Sequence, residues 1–205
     1  MAKIKFTKTE QKHQQDALKQ FQRFLPTRQL KKQQLQFEVR QSAESLEANL
    51  AAQKELEQEL AGCIAFFGNP ETAELVTQCV KVERVISGSA NIAGINIPTF
   101  DHVEFAAAEW DLFETSWYVD DAIAALKSAV SLREAYKVLS VQYQLLYDEL
   151  RMTSQRVNLF EKVKIPECKE NIRKIRIMLG DADTAAVARS KIAKRKASGV
   201  VDDAV

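Results

Sequence analysis

The sequence predicts a mainly α-helical protein built on a long antiparallel two-helix coiled coil. Two long stretches with heptad-spaced apolar residues predict the helices, and the stretch between them, where this spacing is lost, predicts a small middle region with a short helix and a β-hairpin. Only 6 Gly and 4 Pro occur among 205 residues, so few chain breaks are expected. We therefore expect an N-terminal coiled-coil helix over 1–67, a middle region over 68–115, and a C-terminal coiled-coil helix with a basic tail over 116–205.

The C-terminal helix is predicted from alternating steps of four and three residues that begin at Leu132. The positions reached are Leu132, Tyr136, Leu139, Tyr143, Leu146, Leu150, Thr153, Val157 and Phe160, and all but Thr153 are apolar. The same steps run backwards through Ala129, Ala125 and Ala122 to Tyr118. This series, the C-terminal stripe, is typical of a coiled coil and predicts that Leu146 and Leu150 are buried against a partner helix.

Beyond Phe160 the spacing of the C-terminal stripe changes. Its next apolar members are Cys168, Ile172, Ile175 and Leu179, reached through Lys164 by an eleven-residue step from Val157. Such a step locally unwinds a left-handed supercoil. Pro166 lies in the same region, where it removes one backbone donor and clashes with the preceding turn. We expect a kink or local unwinding there.

The N-terminal helix is predicted to begin at the capping-box pair Thr7 and Glu10, and Pro26 is a candidate bend within it. A second stripe, the N-terminal stripe, consists of Leu35, Val39, Ser42, Leu46, Asn49, Gln53, Leu56, Leu60, Cys63 and Phe67. Its polar members have two interpretations: they fix the register of the helix pair, or they mark a stretch covered by solvent or by a partner.

In the middle region, Gly68-Asn69-Pro70 is predicted to end the first helix and to start a shorter one. Val and Ile residues in 81–86 and 92–97 favour two strands around a turn at 88–91, although helical spacing leaves 81–86 open between strand and helix. Because 81–98 lies outside both stripes, we expect it to be dispensable for helix pairing but to alter coupling.

Composition and charge narrow the possible functions. Charged residues make up 28% of the chain, but the net charge is only +1, which argues against a polycation that binds nucleic acid. Both ends are nevertheless basic, through Lys3, Lys5, Lys8 and Lys12 at one end and Arg189, Lys191, Lys194, Arg195 and Lys196 at the other. No apolar run is long enough to span a membrane and the N-terminus is too polar for a signal peptide, so a soluble cytoplasmic protein is predicted.

No residue pattern indicates catalysis. The triplet His102-Val103-Glu104 matches the His-x-Glu of zinc deaminases, but the required Pro-Cys-x-x-Cys partner is missing. No phosphate-binding glycine motif is present, and the acidic residues around Trp110 are interpreted as a helix start. Cys63, Cys79 and Cys168 are interpreted as reduced thiols. We therefore predict no catalytic, cofactor-binding or metal-binding residues, and no cofactor.

Three motifs carry a resemblance to a known family. They are Thr153-Ser154-Gln155-Arg156-Val157-Asn158 followed by Glu161, Ile165-Pro166, Ile172 and Ile175; Pro26-Thr27-Arg28 with the lysine-rich turn from Leu30 to Leu35; and Asn91-Ile92-Ala93-Gly94-Ile95-Asn96-Ile97-Pro98. Together they span most of the chain, and the C-terminal motif is the most specific. The sequence resembles the D subunit of the V/A-type rotary ATPases, the central-stalk rotor protein.

The resemblance implies a non-catalytic shaft that turns inside a hexamer of alternating catalytic and nucleotide-binding subunits. Such a shaft couples ATP hydrolysis or synthesis to proton or sodium transport through a membrane ring. The implied partners are those head subunits, a small second stalk subunit and a socket subunit above the ring, with no nucleic acid and no direct membrane insertion. The implied location is the cytoplasmic face of the membrane. The alternative is a prefoldin-like or other non-rotary coiled-coil interaction protein.

Overall fold

The computed structural model describes residues 4–61, 70–107 and 118–202, and it confirms the predicted fold class. The elements in chain order are α1 (Lys8–Ala61), α2 (Pro70–Cys79), β1 (Val82–Ile92), β2 (Ile95–Phe105), α3 (Val119–Asn158), a π-helical turn (Leu159–Lys164) and α4 (Ile165–Asp202). The sequence predictions at Cys63, Phe67, Gly68, Asn69 and Trp110 lie outside the described residues. The predicted start of the short helix at Pro70 is confirmed.

The chain divides into two compact units. One contains Met1–Leu30 with Thr153–Val205, and the other contains Lys31–Met152. The hairpin and the short helix α2 both belong to the second unit, together with most of α3.

The N-terminus of α1 has the predicted cap. The Glu10 backbone N–H donates a hydrogen bond to Thr7 Oγ1 at 3.2 Å, which satisfies one of the free amides of the first turn. The Glu10 carboxylate accepts a hydrogen bond from Gln14 Nε2 at 2.9 Å. Pro26 lies inside α1, which continues to Ala61, so this proline does not end the helix.

Burial along α3 and α4 confirms the C-terminal stripe. Every one of its positions from Tyr118 to Leu179 is buried or half-buried. Leu146 is fully buried, as predicted, whereas Leu150 is half-buried at the edge of the same cluster. The stripe therefore faces protein along its whole length, including the part beyond the change of spacing.

The change of spacing coincides with the π-helical turn Leu159–Lys164. At its end the Ile165 N–H donates to the Phe160 carbonyl, five residues back instead of four. The wider turn accommodates the extra residue in the apolar spacing. Cys168 and Ile175 are therefore buried, like the stripe members before the π-helical turn. Pro166, which has no N–H to donate, follows directly. The predicted local unwinding is confirmed, and it takes the form of this turn.

In the second unit, α1 and α3 run antiparallel. Lys31 Nζ lies 2.9 Å from Glu149 Oε1, and further along α1 the Gln53 side chain donates to the Leu132 carbonyl at 3.3 Å. Advancing along α1 therefore means moving back along α3. The Gln53 amide also donates to Asn49 Oδ1 at 2.7 Å. These bonds favour the interpretation that the polar members of the N-terminal stripe fix register, because the Gln53 bond joins the two helices directly.

The predicted β-hairpin is present, but its turn is not where we expected it. Ala93 and Gly94, with φ of 52° and 83°, form a two-residue turn between the paired residues Ile92 and Ile95. Two successive residues with this left-handed backbone conformation form a turn whose twist matches that of the flanking strands. The Gly94 N–H also donates to Asn91 Oδ1 at 3.1 Å.

The predicted turn at 88–91 is wrong because these residues belong to β1. Gly88 pairs with Thr99, and a Cβ at Gly88 would lie 2.7 Å from Thr99 Oγ1. The glycine is therefore required for close approach of the two strands rather than for reversing the chain.

Two apolar clusters attach the middle region to the helices. In the first, Val76 and Cys79 of α2 pack with Val119, Ala122 and Ile123 of α3. In the second, Ile97 of β2 packs with Leu35 of α1 and Leu146 of α3, and all three are at most 1% exposed. Ile97 therefore packs with members of both stripes, and the expectation that residues 81–98 are dispensable for helix pairing stays a prediction.

Candidate functional site

The C-terminal part of α4 is a helical segment without intramolecular cover. From Gly180 to Ser198, here called the terminal segment, every residue is exposed, including Val187 at 55% and Ile192 at 56%. Leu179 is the last half-buried position before it. A helix with this little packing gains no stability from a core, so its surface is available to another molecule.

The charge of the terminal segment indicates what it can bind. Its cations are Arg189, Lys191, Lys194, Arg195 and Lys196. Lys191 is three and four residues from Lys194 and Arg195, so these cations are neighbours on the helix surface and repel one another by about 0.2–0.5 kcal/mol per pair. An acidic or polar surface would relieve this repulsion, while Val187 and Ile192 add apolar contact area. The segment is therefore a candidate protein-binding element.

Two of the motifs recognised in the sequence come together at the π-helical turn. The Phe160 ring lies 5.2 Å from the Phe21 ring, with 33° between their planes. The Arg28 guanidinium carbon lies 5.2 Å from the centroid of the same Phe160 ring, a cation–π distance. Arg28 of the Pro26-Thr27-Arg28 motif therefore contacts Phe160, which lies between Asn158 and Glu161 of the C-terminal motif.

The third motif, Asn91–Pro98, forms the tip of the hairpin. Asn91 Nδ2 donates to Asn96 Oδ1 at 2.7 Å across the turn. Ile92, Ala93 and Ile95 pack around the cluster of Leu35, Ile97 and Leu146. This motif therefore specifies both the turn and the way its tip contacts the helices.

Comparison with known proteins decides the family. The family model for the D subunit of ATP synthase matches residues 10–195. The chain belongs to this family. It is 45% identical over 194 residues to the V-type ATP synthase D subunit of Borreliella burgdorferi, and the alignment covers 95% of both chains. It is 32% identical to that of Chlamydia muridarum and 31% identical to that of Chlamydia trachomatis, over 95% of this chain and 96% of each relative.

This member of the ATP synthase D family has no candidate membrane span among residues 4–61, 70–107 and 118–202. None of the helices in those ranges combines the length and the low charge that crossing a bilayer requires.

His102 is held between two carboxylates on the exposed surface of β2. Its Nδ1 lies 3.2 Å from Asp101 Oδ2, and its Nε2 lies 3.9 Å from Glu104 Oε1. Within the part of the chain that the structure describes, no three His, Cys, Asp or Glu side chains converge to hold a metal ion. The absence of catalytic, cofactor and metal residues stays a prediction from the sequence.

Cys79 and Cys168 are both buried as free thiols. Burial raises the pKa of the Cys168 thiol, Glu167 raises it further, and Lys164 partly opposes them. Because the thiolate is the reactive form, we expect Cys168 to alkylate slowly at neutral pH and faster only as the pH approaches its raised pKa. Iodoacetamide labelling followed by peptide mass spectrometry, with the denatured chain as control, measures this. Rapid labelling of the native chain at neutral pH would contradict it.

Proposed function

We propose that this chain is the central rotor shaft of a V-type ATPase or ATP synthase. The observation that carries the proposal is the match, over 95% of the chain, to relatives named as the D subunit of V-type ATP synthase. In this role the chain couples ATP hydrolysis or synthesis in a catalytic hexamer to proton or sodium transport through a membrane ring. It is a non-catalytic subunit of that complex.

The helix pair suits a shaft because its two helices are joined by contacts that resist sliding. In the second unit these are the Lys31–Glu149 ion pair, the Gln53–Leu132 hydrogen bond and the cluster around Leu146. Torque applied to one helix is then shared with the other, since each contact joins both. No bound nucleotide is needed for this task.

The terminal segment is the element we assign to the head. A helix that is exposed on all sides fits a sleeve formed by surrounding subunits, and its several cations distribute the contacts around it. The proposed partners are the catalytic and nucleotide-binding head subunits, a small second stalk subunit and the socket subunit above the ring. The proposed location is cytoplasmic, peripheral on the cytoplasmic face of the membrane.

Reconstitution tests this function. The chain is co-expressed with the head subunits and the second stalk subunit of the same source, and the complex is joined to its membrane sector in vesicles. We expect the chain to co-purify with the hexamer and ATP-driven ion uptake to require it, with a complex lacking only this chain as control. Uptake that is equal without the chain would refute the rotor assignment. A chain that instead suppressed aggregation of unfolded substrates by itself would support the prefoldin-like alternative.

A further inference from the structure

The hairpin contacts the helix pair at two separate levels. At its tip, Ile97 packs in one buried cluster with Leu35 of α1 and Leu146 of α3, here called the tip contact. At its open end, the Lys127 Nζ of α3 lies 5.7 Å from the centroid of the Phe105 ring. Both contacts lie in the unit formed by Lys31–Met152.

The lengths of the two elements match between these contacts. From Lys127 to Leu146, α3 rises about 28 Å at about 1.5 Å per residue. From Ile97 to Phe105, an extended strand spans about 27 Å at about 3.4 Å per residue. Because the lengths agree, β2 lies extended along α3 in the opposite direction, attached at each end.

The interval that β2 spans includes the polar part of the helix pair, here called the polar stretch, Ser42 to Gln53 of α1. Its stripe positions include Ser42, Asn49 and Gln53, and Gln53 bonds to α3 at Leu132, between the levels of Lys127 and Leu146. Polar residues at heptad core positions specify register but reduce stability. Heptad packing alone therefore stabilises this interval less than a run of leucines would.

We propose that the hairpin is a conformational brace that holds α1 and α3 at a fixed axial offset across the polar stretch. Ile97 packs in one cluster with a residue of each helix, so sliding one helix by a single turn would move Leu35 away from Leu146 by about 5 Å and open the tip contact. When the tip contact is broken, the helices separate more often along the polar stretch and expose it to water. This inference goes beyond the proposed function, since the brace acts in the free chain as well as in a complex.

Hydrogen exchange of the full-length chain tests the brace. In Ile97→Ala, we expect amide exchange to accelerate on the order of tenfold in the polar stretch and in the opposite residues of α3, about 132–141, as well as in the hairpin. The matched control is Val82→Ala, which shortens a side chain of β1 that is 43% exposed. It should leave exchange in α1 and α3 unchanged.

The pattern of exchange decides the outcome. If Ile97→Ala accelerates exchange only within 82–105, the hairpin is attached to the helices without bracing them and the proposal is overturned. If circular dichroism shows that Ile97→Ala has lost its helices, Ile97→Val is measured instead. That variant should accelerate amide exchange in the same segments to a smaller extent. Unchanged exchange in the polar stretch would overturn the proposal equally. Neither result depends on whether the complex pumps ions.

Discussion

Replacing Leu146 by aspartate is expected to destabilise the helix pair by about 4 kcal/mol or more, because it removes a buried apolar side chain and puts an unpaired charge in its place. Leu146 is fully buried with Leu35 and Ile97, so no water can solvate the new carboxylate without opening the cluster. The melting temperature, followed by circular dichroism, should fall by roughly 10 °C or more.

The matched control is Val141→Asp on the same helix. Val141 is 52% exposed, so its replacement should change stability by about 0.5 kcal/mol or less. Equal melting of Leu146→Asp and the unmodified chain would refute the proposed heptad register of α3.

Truncation after Leu179 is expected to weaken the coupling of ATP hydrolysis to ion transport far more than removal of any one cation from the terminal segment. The truncation deletes the whole exposed segment, including Val187 and Ile192, whereas Lys194→Ala and Arg195→Ala each remove one exposed charge. Exposed charges typically contribute about 0–1 kcal/mol each in ion pairs, so the single variants should keep most of their ATP-driven ion uptake.

The measurement is ion uptake by vesicles carrying the reconstituted complex, with assembly checked by co-purification. Because the terminal segment has no intramolecular cover, the shortened chain should retain its helix pair by circular dichroism. Loss of pumping in Lys194→Ala with assembly intact would show that one residue, and not the distributed surface, transmits torque.

The helices could be predicted well from the sequence because their physical signal is local and repeated. Thr7 caps α1 as its spacing to Glu10 indicates, and the stripe through Leu146 and Val157 is buried as its four–three steps require. The local unwinding before Cys168 could also be predicted, because an eleven-residue step between apolar positions requires a local change in helical winding.

The hairpin was predicted less well because its geometry depends on contacts between distant residues. Gly88 looks like a turn residue, but the strand pairing brings Thr99 too close for any larger side chain there. The turn falls at Ala93-Gly94, where Asn91 accepts the Gly94 N–H. Nothing in local periodicity indicates that Ile97 joins Leu35 and Leu146 in one buried cluster, because those residues are far away in sequence.

The π-helical turn before Pro166 also determines the direction in which the cations of the terminal segment point. Each residue added to or removed from a helix rotates everything after it by about 100° around the axis. If Leu159–Lys164 formed an ordinary α-helix with no residue deleted, the chain there would gain about one residue's rotation, and Lys191 and Arg195 would swing by about a quarter turn relative to Phe21 and Arg28. The direction of Lys191 and Arg195 around the helix axis thus depends on one widened turn some thirty residues upstream.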